Sequence, residues 1–424
     1  MRWLRLFQWP KASDCVDVAT FGAKGDGVTD DTRALQRAID TVKDGCGRSL
    51  SLKPGTYRTT STLLIKGRIT VVGAGPNSII HAAANHDVFL ISEGATGSML
   101  TRFQIRGSSV APAPKKPGWY AIMTAAGSPP TDVTVSNLLI SGRDALTGCN
   151  NGIKLNAGSD RWVICNNQFE RLTGTADGSG YGILLESHHN VIKDNIFRGR
   201  RDTHGRHAVY LSSGASFNIV ADNMTDMFNE EGITIYSKRE HPPCRNNSIV
   251  NNLINGGGRL TVDSGGIGVY GNAINNHIEG NTVRDYDGYG IVVSDASQGG
   301  ICIGTEVLGN AVRNAGTIGI VIVGAKQTNV QSNTVFRASR SEPGQHSGID
   351  VRSAGNIRVQ LCEDTTILSN TSLGLVQKYA FVINKSEPKP QGTIVAGNTF
   401  IAGAGQSAYE LNGAPCIFLD NVVT

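Results

Sequence analysis

The most regular feature of the chain is a short phrase of apolar and polar residues that recurs from Val135 to Val423. Each phrase has two apolar residues, one or two polar residues and an asparagine, and then further apolar residues. The asparagines are Asn137, Asn167, Asn195, Asn223, Asn252, Asn281, Asn310, Asn333, Asn370, Asn398 and Asn421. Up to Asn310 they are 28 to 30 residues apart, and later intervals vary from 23 to 37 residues. A period in this range predicts stacked repeats in which each coil contacts only its neighbours.

A second apolar pattern lies between the asparagine phrases. Each interval carries a five-residue segment that usually begins with glycine, such as Gly152–Asn156, Gly182–Glu186 and Gly232–Tyr236. The second and fourth residues are apolar, so the alternation predicts a strand whose third and fifth residues point outward. Several short strands in a period of about 28 residues leave no room for a helix, which predicts a parallel β-helix. The asparagines are then expected to form an internal ladder of amide hydrogen bonds between coils.

The chain before the repeats predicts a cover for the first coil. Residues 1–14 are interpreted as a lead-in segment, and residues 15–424 as a single β-helix domain. A helix over about residues 29–43, capped by Thr29 or Asp30, would place its apolar residues on one face. Such a helix suits the open hydrophobic end of a solenoid. A long proline-containing loop over about residues 108–132 is expected to decorate the binding face.

Composition and charge exclude several classes of protein. The net charge is only +4 and no dense basic stripe is present, so nucleic acid is not an expected partner. No run of 18 apolar residues occurs, so no membrane span is expected. The eight cysteines lack CxxC pairs and are interpreted mainly as small core residues. The 52 glycines fit a chain with many turns.

Two segments near the N-terminus resemble a known superfamily. Asp17–Asp40 contains Phe-Gly-Ala-Lys-Gly-Asp-Gly-Val-Thr-Asp-Asp-Thr, and Leu52–Tyr57 reads Leu-Lys-Pro-Gly-Thr-Tyr. Together with the asparagine coils they resemble the pectate-lyase-like superfamily of polysaccharide lyases, glycoside hydrolases, epimerases and phage tailspike depolymerases. The resemblance implies an all-β, right-handed, single-stranded parallel β-helix with an N-terminal capping helix. It also implies a polysaccharide or oligosaccharide substrate.

The resemblance does not assign catalytic residues. The Gly-His-Gly and Arg-Ile-Lys motifs of polygalacturonases are missing, and Gly232–Tyr236 stands where the epimerase phrase Asp-Pro-His would be expected. An extracellular or phage-particle location is expected, although the apolar stretch within residues 1–10 is too short for a Sec signal peptide. The expected oligomeric state is a monomer or a homotrimer.

The outward positions of the central coils carry the candidate chemistry. Glu230, Glu231, Asp263 and Asp287 lie in the turns that enter neighbouring strands, together with His207. Coils one or two apart provide carboxyl separations of about 5–5.5 Å or about 6.5–9.5 Å, as retaining and inverting glycosidases require. These five residues are the catalytic candidates, and solvated turn charges are the alternative. The substrate-binding candidates are His204, Arg206, Tyr210, Tyr236, Arg239, Tyr270, Tyr289, Glu186 and Arg352.

The same residues also permit other chemistry. Tyr210, Tyr236 and Tyr270 occupy three consecutive coils, where they would stack against sugars or serve only as good strand formers. In a uronate lyase or C5-epimerase, Arg206, Arg239 or Lys238 would neutralise the sugar carboxylate, and His207, Tyr210 or Tyr236 would take the C5 proton.

No cofactor is expected. A calcium site built from Asp263, Asp285 and Asp287 is kept as a weak alternative, because no ligand-loop spacing supports it. Hydrolysis of a polysaccharide is narrowly favoured, because the patch offers several carboxylates. Elimination or epimerisation of a uronate is the first alternative, and a non-catalytic glycan-binding tail or surface protein is the second.

Overall fold

The expected all-β, right-handed parallel β-helix is confirmed. A computed structural model describes residues 15–43, 49–108, 119–142, 150–173, 180–200, 205–258, 264–295, 300–353 and 361–424. Within them the strands form three long parallel sheets, which we number 1 to 3 in the order in which the chain visits them. The core lies between the three sheets and runs the length of the molecule.

Sheet 1 contains the strands Cys15–Asp17, Ser49–Leu52, Thr70–Gly73, Met99–Thr101, Thr134–Ser136, Val163–Cys165, Val191–Lys193, Ile219–Ala221, Ser248–Val250, His277–Glu279, Glu306–Leu308, Asn329–Gln331, Thr366–Leu368, Thr393–Ala396 and Cys416–Leu419. Sheet 2 contains Asp26–Asp30, Gly55–Thr59, Ser78–Ala82, Gln104–Arg106, Leu139–Ser141, Gln168–Glu170, Ile196–Arg198, Met224–Phe228, Leu253–Gly257, Thr282–Tyr286, Ala311–Arg313, Thr334–Phe336, Thr371–Leu373, Thr399–Ile401 and Val422–Val423.

Sheet 3 contains Leu63–Ile65, Phe89–Ile91, Trp119–Thr124, Asn150–Leu155, Tyr181–Leu185, His207–Ser212, Glu231–Ser237, Gly265–Gly271, Tyr289–Ser294, Ile320–Val323, Ile349–Arg352, Tyr379–Ile383 and Ser407–Glu410. A short additional sheet joins Cys244–Arg245, Ala273–Ile274 and Cys302–Ile303. Within the described residues the chain also forms two short 3₁₀ helices, Val18–Phe21 and Glu93–Ala95. The five-residue segments predicted from the sequence fall on sheet 3, and the asparagine phrases fall at the corner between sheets 1 and 2.

The predicted asparagine ladder is present, with one correction at its start. The side-chain amide of Asn167 donates to Asn195 Oδ1 at 3.0 Å, and the same bond continues from coil to coil up to Asn398 and Asn421. Asn137 is not a member, because the N–H of Leu138 donates to Asn167 Oδ1 and Leu138 therefore occupies the ladder position. Asn137 instead has a positive φ of 53° in the turn before it.

A second ladder was not predicted. Asn190, Asn218, Asn247 and Asn276 are fully buried and bond one to the next at 3.0 Å at the corner that leads into sheet 1. Both ladders satisfy backbone groups that the turns would otherwise leave buried without partners.

The glycine that opens each sheet 3 segment points into the core, which the alternation did not predict. A Cβ atom at Gly182 would lie 2.8 Å from the ring of Phe197, and one at Gly232 would lie 2.8 Å from Ile254. Since the isoleucine after each glycine is also buried, two successive residues face inward and the alternation shifts by one residue. The residue before the glycine consequently faces outward, and this shift creates a third outward column on sheet 3.

The N-terminal end is covered as predicted. The helix spans Thr32–Val42 and buries Leu35 and Ile39 against the first coils. The N-cap residue is Asp31, so the predicted cap at Thr29 or Asp30 is wrong, and the Asp31 side chain makes no capping bond. Asp30, one residue earlier, accepts a hydrogen bond from the N–H of Thr32 at 3.1 Å. No helix in the described part of the chain is long and apolar enough to cross a bilayer.

Candidate active site

The candidate site lies on the outer face of sheet 3, where strands Tyr181–Leu185, His207–Ser212, Glu231–Ser237 and Gly265–Gly271 are neighbours. Tyr181 pairs with His207, and His207 pairs with Glu231, so these three side chains form one outward column. Arg206 and Glu230 precede that column in their turns, and the N–H of Glu230 donates to the carbonyl of Arg206 at 3.2 Å. We call Tyr181, Arg206, His207, Tyr210, Glu230, Glu231, Thr234 and Tyr270 the sheet 3 site.

Arg206 and Glu230 form a two-point ion pair at the more open side of the site. The Arg206 Nη2 atom donates to Glu230 Oε1 at 2.8 Å, and Nε donates to Oε2. Burial opposes ionisation of Glu230, but the hydrogen bonds and charge of Arg206, together with His207 whenever the imidazole is protonated, outweigh it and hold its pKa below 4.5. Glu230 is therefore ionised at neutral pH.

His207 is connected to Glu231 through a hydroxyl and also directly, because its Nδ1 atom lies 3.3 Å from Glu231 Oε2. Thr234 Oγ1 donates to Glu231 Oε2, so its lone pairs accept from His207 Nδ1, which is 2.9 Å away. This network assigns the ring proton to Nδ1 and leaves the lone pair of Nε2 on the side of Glu230 Oε2, at 3.6 Å. Glu231 is only 6% exposed and pairs with His207 from the next strand of sheet 3, so it orients the imidazole from the neighbouring coil.

Aromatic rings stack along the site at the spacing of the coils. The ring of Tyr181 lies parallel to His207 at 5.5 Å, His207 stacks on Tyr210 at 4.7 Å, and Tyr210 on Tyr236 at 6.4 Å. Burial raises the pKa of both Tyr181 and Tyr210 above 10, so both phenols carry their protons at neutral pH. Their faces are largely occupied by one another, which leaves the ring edges and hydroxyl groups to meet a substrate.

The structure brings together part of the predicted set. Arg206, His207, Tyr210, Glu230, Glu231, Tyr236 and Tyr270 are on adjacent strands or in the turns that enter them. His204 and Asp263 lie outside the described residues. Asp287 forms an ion pair with Arg340 at 2.6 Å, and the register of Phe228, Gly257 and Tyr286 places its coil two strands above that of Glu230.

The remaining binding candidates are spread along or beyond sheet 3. Glu186 is paired with Lys154 at 3.5 Å and lies two coils below Tyr236 in the same column. Arg352 lies four coils above Tyr236, beside the buried Asp350. Arg239 is exposed in the turn after strand Glu231–Ser237, at the opposite end of that strand from Glu230. Tyr289 packs with an apolar cluster that contains Val292, Ile318 and Val321.

Two residues of the site escaped the sequence analysis. Tyr181 was missed because the alternation predicted an inward side chain at that position, and the inward Gly182 reverses it. Thr234 was placed in an outward column but given no role. A search for polar residues directly before the repeated glycine, or before Ala208 where alanine takes its place, would have identified Tyr181, His207 and Glu231 together.

The described carboxylates do not fit the weak calcium prediction. Asp287 is paired with Arg340, and Asp285 accepts a hydrogen bond from Asn314 at 2.9 Å. Among the residues that the structure describes, no group of three histidine, cysteine, aspartate or glutamate side chains is arranged to hold a metal ion. We therefore derive no step through calcium.

Comparison with known proteins assigns the family. Residues 15–259, more than half of the chain, match the family described as rhamnogalacturonase A/epimerase, pectate lyase-like. The chain belongs to this family. It is a family of carbohydrate-active β-helix proteins, and the matched residues include the His207 and Glu231 strands of the sheet 3 site.

Curated relatives match over shorter segments. Alginate lyase 7 of Azotobacter vinelandii is 44% identical over 66 residues, which are 14% of this chain and 8% of that protein. Mannuronan C5-epimerase AlgE5 of the same organism is 32% identical over 119 residues, 24% of this chain and 12% of that protein. The matches thus span about a tenth of the length of these relatives.

Solved structures share the fold over nearly the whole chain. The A-module of the Azotobacter vinelandii mannuronan C-5 epimerase AlgE6 has a TM-score of 0.61 and 18% identity, covering 96% of this chain and 99% of that chain. The Dettilon tailspike protein has a TM-score of 0.64 and 18% identity, covering 94% and 68%. The GH87 α-1,3-glucanase of Streptomyces thermodiastaticus has a TM-score of 0.61 and 16% identity, covering 97% and 69%. At these identities the likeness concerns the fold alone.

Proposed function

We propose that the protein acts on a uronate-containing polysaccharide by removing the C5 proton, as a lyase or a C5-epimerase. The observation that carries this proposal is the orientation of His207. Its Nδ1 proton is held through Thr234, and its Nε2 lone pair lies beside an ion-paired arginine and two protonated phenols. An arginine, a base and a proton donor are the groups that this chemistry requires.

The state of the two clustered carboxyl groups weighs against the hydrolysis that the sequence narrowly favoured. A general acid for glycoside hydrolysis holds its proton near neutral pH, which requires a raised pKa. The pKa of Glu230 is lowered, and both of its oxygens bind Arg206. Glu231 is buried and accepts a hydrogen bond from Thr234. Neither group suits the role of the acid.

Each residue then has a defined role. Arg206 neutralises the substrate carboxylate, which lowers the free energy of the carbanion that forms at C5. His207 Nε2 takes the C5 proton, and the imidazolium that results is stabilised by Glu230 Oε2, which is 3.6 Å away. In elimination the bond between C4 and its glycosidic oxygen breaks, a C4–C5 double bond forms, and Tyr181 or Tyr210 donates a proton to the oxygen. In epimerisation a phenol returns a proton to the other face of C5.

The names of the curated relatives point to the same class of reaction. An alginate lyase and a mannuronan C5-epimerase both act on a uronate polymer, as their names state. The matched segments are short, so they support the substrate class and leave the choice between elimination and epimerisation open.

The test is a product analysis on four polymers: polymannuronate, polyguluronate, polygalacturonate and neutral α-1,3-glucan. A lyase gives reducing ends together with unsaturated-uronate absorbance, and an epimerase changes the ratio of the uronates, which proton NMR measures. Either result on a uronate polymer supports the proposal. Reducing ends without unsaturation indicate hydrolysis, and tight binding without any product indicates a glycan-binding protein. Both of these outcomes reject the proposal.

Matched variants tie the activity to the site. His207→Ala is expected to lower kcat by about 10²–10⁴-fold, the usual contribution of a general base. His277→Ala is the control, because His277 is bound by Glu279 and Glu306 on sheet 1 and is remote from the site. If both variants keep full activity, the catalytic base is elsewhere.

A further inference from the structure

The side chain of Tyr270 is folded back over its own strand. In an extended strand, residues 268 and 270 share the outer face. A Cβ atom at Gly268 would lie 2.7 Å from Cζ of the Tyr270 ring and 2.8 Å from its hydroxyl oxygen, so only glycine leaves space for the ring. Gly268 does not have a positive φ, so the backbone conformation does not require glycine there. The presence of glycine at position 268 is therefore explained by the Tyr270 ring, which leaves no room for a Cβ atom there.

This conformation turns the Tyr270 hydroxyl towards Glu231, whose negative charge acts on the phenol. Gly268 pairs with Thr234 of the neighbouring strand, and the Thr234 hydroxyl donates to Glu231. The Tyr270 hydroxyl is buried and makes no hydrogen bond of good geometry. Burial raises the pKa of Tyr270 well above 10, and the negative charge of Glu231 raises it further. A buried hydroxyl that faces a carboxylate can only act as a donor to it.

We propose that Tyr270 is a positioning residue that holds the Glu231 carboxylate and, through Thr234, keeps the His207 proton on Nδ1. The catalytic consequence rests on the proposed function, in which Nε2 of His207 is the base. Tyr270 does not contact the reacting atoms. Gly268 contributes to the same arrangement, because it leaves space for the Tyr270 ring.

The direction in which the Thr234 hydroxyl donates explains how Tyr270 would influence the His207 tautomer. While Glu231 is held in place, Thr234 donates to it and accepts from His207 Nδ1. If Glu231 turns away, the Thr234 hydroxyl loses its acceptor and can donate to Nδ1 instead. The imidazole then carries its proton on Nε2, and the atom that should accept the substrate proton is blocked.

The test measures the tautomer of His207 directly. Nitrogen NMR of protein labelled at histidine, with the His207 signals assigned by comparison with His207→Ala, reports which ring nitrogen carries the proton. We expect the Nδ1–H form in the wild type and a clear increase in the Nε2–H form in Tyr270→Phe, which keeps the ring and removes the hydroxyl. Tyr57→Phe is the matched control, because it removes another buried-ring hydroxyl, bonded to the Lys53 carbonyl remote from the site.

A second pair of variants separates position from folding. Gly268→Ala displaces the Tyr270 ring, and we expect it to change the tautomer as Tyr270→Phe does and to lower the melting temperature as well. Adding Tyr270→Ala to Gly268→Ala removes the clash, so it should recover stability without recovering the tautomer. These variants leave the charged and ionisable groups around Tyr270 and Glu231 unchanged, namely Arg206, Glu230, Tyr181, Tyr210 and Tyr286.

Activity measurements complete the test. Tyr270→Phe should lower kcat on the active uronate polymer by about 10–100-fold, part of the usual contribution of a general base, with KM within about twofold. A folded Tyr270→Phe variant with an unchanged His207 tautomer overturns the positioning role. The NMR measurement needs no substrate, so it stands even if no uronate polymer is turned over, and that result would reject only the proposed function.

Discussion

Arg206 illustrates how a residue of ordinary sequence context acquires a defined state from its neighbours. It lies in a turn, and the next coil supplies Glu230 directly beside it. The ion pair is largely shielded from water, so each partner favours the ionised form of the other. The sequence analysis grouped the two residues correctly, but it could not give the ionisation state on which the choice between hydrolysis and proton abstraction depends.

The pairing predicts a stability difference that depends on pH. Arg206→Gln should lower the free energy of unfolding at pH 7 by about 2–3 kcal/mol, less than for a fully buried pair because the side chains are 26% and 19% exposed. The pKa of Glu230 is lowered in the folded state, so the stabilisation is present above about pH 4.5 and is lost as the pH falls through the folded pKa. Chemical denaturation at pH 7 and at pH 3 measures the difference.

The control for this prediction is Arg161→Gln. Arg161 forms a similar two-point pair with Asp132, but the side chains are 57% and 46% exposed. Its loss should amount to less than about 1 kcal/mol. An equal loss at pH 7 and pH 3 for Arg206→Gln would contradict the electrostatic explanation.

The buried carboxyl group of Asp295 is expected to make the free energy of unfolding depend on pH in the opposite direction. It is only 1% exposed, its Oδ1 atom has no hydrogen-bond partner, and burial raises its pKa to about 7. Above its unfolded pKa near 3.8 the unfolded chain releases this proton more readily than the folded chain, so folding is penalised increasingly up to pH 7. Asp295→Asn should therefore stabilise the protein by about 2–4 kcal/mol at pH 8 and very little at pH 4. Melting curves at the two pH values test this, and a gain of equal size at both would contradict it.

At the scale of one strand, the repeated glycine determines which residues reach the surface. The sequence correctly predicted the inward second and fourth residues and the outward third and fifth residues of each sheet 3 segment. It did not predict that the first residue also faces inward, because strict alternation never places two successive residues on the same side of a strand. The sheet 3 site depends on this irregularity, since Tyr181, His207 and Glu231 all precede an inward glycine or alanine.

Gly232→Ala tests the packing role of this glycine. The new Cβ atom would lie 2.6 Å from the Gly266 carbonyl oxygen, so the coils would have to separate. We expect a loss of about 3 kcal/mol or more in the free energy of unfolding. Gly309→Ala is the control, because Gly309 has a φ of +60° and no atom within 4 Å of its Cβ position. It should cost only about 1–2 kcal/mol of left-handed strain, and equal losses would disprove the packing role.

The asparagine ladder leads to a second prediction about the stacked strands. Asn223 donates to the Ile192 carbonyl and to Asn252 Oδ1, and its own Oδ1 accepts from Asn195. Asn223→Ala leaves several buried groups without partners, and we expect a loss of about 3–5 kcal/mol. Asn421→Ala, at the half-exposed end of the ladder, should lose less than half as much, because water can replace the missing bonds. Similar losses from denaturation of the two variants would mean that the ladder does not act through buried hydrogen bonds.

For the whole molecule, the fold was predictable and the chemistry only partly so. A 28-residue period fixes strand direction, stacking and the outward columns, because each coil repeats the same physical arrangement. The separation of Asp287 from Glu230 was harder to predict, because Arg340, from a later coil, binds its carboxylate. Likewise, the outward residues Thr234, Val292 and Val321 are buried, which a column read from sequence does not reveal. The expected extracellular or phage-particle location and the monomer or homotrimer state stay predictions.

The measurement that tests the central claim most directly follows the hydrogen at C5. A uronate polymer that the enzyme turns over is prepared with deuterium at C5, and the deuterium released into water is measured as turnover proceeds. Proton abstraction by His207 predicts that each elimination or epimerisation releases one C5 deuterium, and that His207→Ala abolishes the release. Chain cleavage with all deuterium retained at C5 would contradict the account, since it would mean that the glycosidic bond is hydrolysed without breaking the C5–H bond.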